Sequence, residues 1–227
     1  MQPYIFPYIG YFQLIESVDK FVIYDDVNFI NKGWINRNRI LNNGKESLFT
    51  IPLKEASQNK LINEINVNWD SSWKSKFLKT LDQSYKKAPY YQEILNIIEH
   101  TLRIDNEPIS KVIEINLRLI CHYLDIKTEI ISSSAIYQNT HLKAKERILD
   151  ICLQEKASQY INPIGGVELY DKDFFEAKNI KMNFIKSNAV EYKQYKNQFV
   201  PWLSMIDVLM FNSKEKIKEL LNNFDLV

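Results

Sequence analysis

Across residues 128–186 the apolar pattern changes period repeatedly, and this alternation constrains the fold more than any other feature of the chain. TEIISSS reads as a short strand, residues 143–155 have helical spacing, and residues 159–162 return to strand character. The turn PIGG follows, then a helix over residues 172–178 and a strand over residues 181–186. Strand, helix and strand in succession need crossover connections, which lay a parallel sheet beneath helices. The expectation is an α/β fold with a mostly parallel sheet flanked by helices, Rossmann-like in plan.

A helical block interrupts this plan. Trp73, Phe77, Leu81 and Tyr85 fall at i, i+4 spacing behind the N-cap candidates Ser71 and Ser72. YYQEILNIIEHTL and ISKVIEINLRLICHYL keep the helical period on either side of a breaker at residues 105–108. Residues 71–124 are therefore a central insertion, and the 227 residues fit one domain, 1–227. Earlier strands are expected at 20–24, 47–52 and 64–67. The tail, QFVPWLSMIDVLMF, reads as an aromatic turn into an apolar helix.

Charge and cysteine usage exclude several classes. Formal net charge is +1, from 29 basic and 28 acidic residues, too small a field to attract nucleic acid. Cys121 and Cys152 lie in helix-like apolar runs, the usual setting of free thiols, so a reducing, cytoplasmic location is expected. No run reaches the ~18 apolar residues of a membrane span, and no membrane insertion is expected. His100, His122 and His141 lack metal-ligand spacing, so no metal site is expected; His141, just before a helix, is the one histidine kept as a candidate. GxSxG, P-loop and GxGxxG patterns are missing.

Chemistry concentrates in the first forty residues. QPYIFPYIGY offers Gln2, Tyr4, Tyr8, Gly10 and Tyr11 on a rigid loop before a helix, and the strand FVIY ends at Asp25 and Asp26. Polar groups just beyond a strand's C-terminal end lie where open α/β sheets bind ligands. Asp25 or Asp26 can serve as a base toward an amine, although a carboxylate capping a strand-end turn is an equally ordinary reading. Trp34, Asn36, Arg37, Asn38 and Arg39 add an indole, two amides and two guanidiniums suited to an anion beside a stacking surface. Solvated arginines on a hairpin are the plain alternative. Gly165 and Gly166 let backbone amides approach a ligand after a strand, and Pro201 and Ser204, with Trp202 and Asp207, could close the pocket. Ser204 reads equally well as an N-cap.

QPYIFPYIGYFQLI, DKFVIYDDVNFI, GWINRNRI, KEASQNKLI, YINPIGGVELYDKDFF and QFVPWLSMIDVLM, in that order, resemble the WbqC-like protein family along nearly the whole chain. The resemblance implies a transferase of O-antigen and related surface-polysaccharide biosynthesis, carrying an acyl or aminoacyl group from a donor such as an acyl-CoA to a nucleotide-linked amino sugar. It also implies a short strand directly before the QP motif, expected here upstream of Met1. The Pro-containing loop with Y-I-G-Y, Tyr8 to Tyr11, is similar to the HxGH loop of the nucleotidylyltransferase superfamily with tyrosines in the histidine places. Nucleotidyl transfer and a non-catalytic sugar-nucleotide-binding or scaffold role are the rival functions.

Overall fold

The computed structural model describes residues 1–196 and 198–227. Helix α1 (Ile9–Glu16) buries nearly all its residues and leads into strand β1 (Lys20–Val22). A hairpin follows, β2 (Arg37–Asn42) against β3 (Lys45–Thr50), antiparallel from Arg37 opposite Thr50 to Asn42 opposite Lys45. Asn43 and Gly44 turn it with φ of 50° and 74°, the left-handed pair that matches strand twist in a two-residue hairpin. The expected strand at residues 64–67 is replaced by a 3-10 turn, Ile62–Glu64, and single bridges, Leu53 with Val67 and Asn66 with Pro108. The amides there are divided between different partners, Ile65 to Ile62 and Val67 to Glu107, so no ladder forms.

The central helices appear as read: α2 (Ser71–Tyr85), α3 (Tyr91–Leu102) and α4 (Ile109–Leu124). The N-cap of α2 is Asp70, whose carboxylate accepts the Trp73 amide at 2.7 Å, rather than Ser71 or Ser72. Helix α4 buries Ile109, Val112, Ile113, Leu117, Ile120 and Leu124, a stripe at helical spacing. It ends where Asp125 turns left-handed, φ 60°, and the Ile126 amide reaches back to the Cys121 carbonyl at 2.9 Å. Tyr85 is fully buried; its hydroxyl accepts the Leu41 amide and donates to Asp207, joining α2 to the hairpin and to the C-terminal helices. Burying a ring of this size stabilises by about 1.5–3 kcal/mol.

Beyond the block come β4 (Glu129–Ile131), α5 (Ala144–Gln154), β5 (Gln159–Pro163), α6 (Lys172–Glu176), β6 (Lys181–Ser187), α7 (Met205–Phe211), α8 (Lys214–Leu221) and β7 (Phe224–Leu226). The fold is α/β, with strands in small sheets rather than in one. β1 and β4 form a parallel pair, β2 and β3 an antiparallel pair, and β5, β6 and β7 a third sheet in which β5 and β6 are parallel and β7 antiparallel. Strand β7 had no clear signal in the sequence.

A cleft divides the two parallel pairs. β1 pairs with β4 and β5 with β6, while a cavity of about 370 Å³ lies between Lys20, Phe21 and Val22 on one side and Gln159 to Pro163 on the other. Met1 sits at its end in a parallel ladder position beside Ile23, donating to the Val22 carbonyl and accepting the Tyr24 amide, both at 2.8 Å. Burial pushes the Met1 ammonium down to about 5, with nearby Asp25 acting in the opposite sense. The apolar core follows the same division. One large cluster spans α1, the hairpin, the helical block and α7, and a smaller one, Leu149, Cys152, Phe175, Ile180, Met182 and Phe184, lies beneath β5 and β6.

Candidate functional site

The loop before α1 is held by buried amides from distant elements. Asn38 donates to the carbonyls of Ile5 and Phe6, Asn116 accepts the Phe6 amide at 3.3 Å, and the Ile5 amide reaches the Ile35 carbonyl. Phe6 lies at φ 42°, a backbone conformation a bulky residue holds only when its surroundings impose it. Tyr8 then stands at the entrance to α1 with its ring over Gly10, where a Cβ would come within 2.4 Å of that ring. Tyr11 points inward: it is 2 % exposed and donates its hydroxyl to the Gln2 carbonyl at 2.9 Å. Tyr4 packs beside it, 5.7 Å between ring centres.

Asp25 and Asp26 follow β1 and are both buried, but their surroundings differ. Asp26 is ion-paired with buried Arg147 and accepts the Ser134 hydroxyl, while Arg147 also bonds the Asn139 side chain and lies 4.8 Å from the Tyr24 ring centre. Asp25 has hydroxyl partners instead: Ser133 donates to it at 2.6 Å, and its amide is taken by Ser134. Burial raises the Asp25 carboxyl, and the Ser133 and Ser110 hydroxyls pull it partly back. Ser133 and Ser134 follow β4, so these groups collect at the C-terminal ends of the two paired parallel strands.

On the hairpin, Arg37 and Arg39 share a face and flank Trp34, at 5.6 and 5.2 Å from its ring centre. Part of each guanidinium is already engaged, Arg37 on the Gly33 and Lys32 carbonyls and Arg39 on Glu46 at 3.0 Å. The Asn36 amide bonds the Ile51 carbonyl. After β5, a Cβ at residue 165 would meet nothing within 4 Å, whereas one at residue 166 would sit 1.9 Å from the Asn162 amide nitrogen. Asn162, read from the sequence as a strand residue and not as a site candidate, covers this turn.

A second cavity, of about 260 Å³, opens between Tyr8, Trp202 and the segment that leaves β6. Pro201 lines it; Ser204 is fully buried beside it in sequence, capping α7 without a side-chain bond, and its hydroxyl has no partner among the described residues. Of the residues expected in one pocket, Tyr8 and Pro201 share this lining; Asp25 and Asp26 sit with the serines, and Trp34, Arg37 and Arg39 lie on the hairpin, whose Arg39 carbonyl accepts the Ser204 amide at 2.8 Å. His141 is exposed before α5. Among the described residues no cluster of His, Cys, Asp and Glu has the form of a metal site, and both thiols are buried, pushed up to about 12 by desolvation.

With this arrangement in view, comparison by sequence decides the kinship, because the family model of the WbqC-like protein family matches residues 2–219. The chain belongs to the WbqC-like family. The chain is similar to an uncharacterized protein of Mycobacterium tuberculosis, Rv1507c, 29 % identical over 209 residues, covering 91 % of this chain and 89 % of that protein. No solved structure matches the chain. The match takes in the loop at Tyr8, the Asp25 strand end, the hairpin, the PIGG turn and the Trp202 segment. Among the described residues no helix is long and apolar enough to cross a membrane.

Proposed function

We propose that this WbqC-like protein is a transferase that moves an acyl or aminoacyl group onto the amine of a nucleotide-linked amino sugar, in the assembly of a surface polysaccharide. The observation that carries the reading is the contrast between the two aspartates. Asp26 is neutralised by Arg147, whereas Asp25 takes uncharged donors, the Ser133 and Ser110 hydroxyls and the Ser134 backbone, and has a carboxyl raised by burial. A raised carboxylate is a stronger base, as an ammonium nucleophile requires before it attacks an acyl carbon. The donor class, an acyl-CoA or an aminoacyl carrier, and the polysaccharide setting rest on family kinship. Nucleotidyl transfer loses support at Tyr11, whose hydroxyl is engaged by Gln2 and turned away from any phosphate before α1.

The test is incubation with a nucleotide-linked amino sugar and an acyl donor, with amide product followed by mass spectrometry. Asp25→Asn is expected to keep sugar-nucleotide affinity and lower turnover by ~10²–10⁴, the usual range for a lost general base. Undiminished turnover in Asp25→Asn would reject the base. A scaffold would bind the sugar nucleotide and form no product with any donor.

A further inference from the structure

We propose that the cavity that Tyr8 and Trp202 line together with the segment leaving β6 is a carbohydrate subsite, taking a neutral pyranose ring against its aromatic walls. The aromatic lining comes from Tyr8, Tyr192, Phe199 and Trp202, with the Tyr8 and Trp202 rings 6.2 Å apart and tilted by 59°. The C–H face of a pyranose is apolar and slightly positive, and the negative face of an indole or phenol ring attracts it. Ser187, Asn188 and Glu191 also line the cavity and supply the donors and acceptors that a ring of hydroxyls needs. Glu191 carries the only formal charge among the described lining residues. A phosphate would therefore meet a carboxylate and no cation, so the ligand is a polyhydroxyl ring rather than a nucleotide's diphosphate.

The walls are prepared in advance. Gly10 gives the Tyr8 ring its place, since any side chain there would strike it. Trp202 is 61 % exposed and held at φ 61°, a strained backbone for a bulky residue and one that no burial of its own ring explains. Behind it, the Gln194 amide closes the loop on both backbone groups of Val200, donating to the carbonyl at 3.1 Å and accepting the amide at 2.7 Å. Gln194 and the Tyr192 hydroxyl both donate to Asp207, at 2.7 Å each, on fully buried α7 backbone. Walls fixed before the ligand arrives lower the ordering cost of binding. The choice of a sugar over another flat polyhydroxyl compound rests on the transfer reading above; the aromatic cavity does not.

The experiment is saturation-transfer NMR with methyl glucopyranoside, N-acetylglucosamine, choline and AMP as probes. The expected result is transfer to the ring C–H protons of a pyranoside, weakened at least tenfold in Trp202→Ala and in Tyr8→Ala, with wild-type circular dichroism for the exposed Trp202 variant. Glu191→Gln, which keeps the wall and changes one acceptor, should weaken the sugar less than Trp202→Ala. Absence of transfer to either sugar, equal transfer in Trp202→Ala, or stronger transfer to choline or AMP would overturn the subsite. Turnover that survives in Trp202→Ala with unchanged KM would remove this subsite and leave the transfer reading standing, whereas sugar binding without turnover would do the reverse.

Discussion

Asp26 and Arg147 are both almost wholly withdrawn from solvent, so each depends on the other. Asp26→Asn leaves a buried guanidinium with neutral partners, and the expected loss is ~3–5 kcal/mol of folding stability. Urea denaturation measures it; an unshifted midpoint would show that Tyr24 and Asn139 suffice for Arg147. Asp207 behaves differently, because it is fully buried among neutral donors and burial raises its carboxyl to about 6. Its ordinary value is 3.8, so as pH rises from 4 to 6 the unfolded chain releases this proton before the folded one, and stability falls through that window. The stability difference between the parent and Asp207→Asn should change by roughly 2–3 kcal/mol between pH 4 and pH 7, to the parent's disadvantage, and stay level above. A pH-independent difference would place the proton elsewhere. Both carboxylates sit in motifs legible in the sequence, but their partners, Arg147 for one and Tyr85, Tyr192 and Gln194 for the other, come from remote positions. No local spacing foretells which of two adjacent aspartates finds a cation.

At the level of elements, the exposed edges of β1 and β5 and the ladder position of Met1 make one prediction. Joining several β-branched residues N-terminal to Met1 should lay a strand parallel to β1 in the cleft, adding about 1 kcal/mol per ladder bond and more per buried side chain. The melting temperature should rise by ~2–4 °C for each kcal/mol gained in a chain of this size. A second signature accompanies it. The Met1 amine titrates at about 5 in the folded state against 8.0 normally, so as pH falls from 8 to 5 the unfolded chain gains a proton first and stability is lost. The extension turns that amine into an amide and should abolish this loss; an extended protein that melts no higher than the parent at pH 8 would count against strand insertion.

For the molecule as a whole, the split between the large core and the smaller one beneath β5 and β6 sets where it opens first. Native-state hydrogen exchange should show the amides of Met182 and Phe184 opening at lower free energy than those of Ile113 and Leu117 on α4. Equal protection would mean that both clusters unfold as one unit.

The helices, the strands between Thr128 and Ser187 and the free state of the thiols are local matters, set by apolar period, turn chemistry and cysteine placement, and could be read from the amino acids alone. Strand partnership is not local. Period 2 says that a segment is extended and says nothing of its neighbour, so the division into small sheets, the pairing of β7 with β6 and the cleft beside β1 were decided by tertiary packing. The same holds for the candidate site. The sequence named Tyr8, Asp25, Trp34 and Pro201 from residue chemistry, yet only the fold could bury Tyr11, give Asp26 to Arg147 and bring Trp202 to Tyr8, because each of these outcomes depends on contacts between residues far apart in the chain.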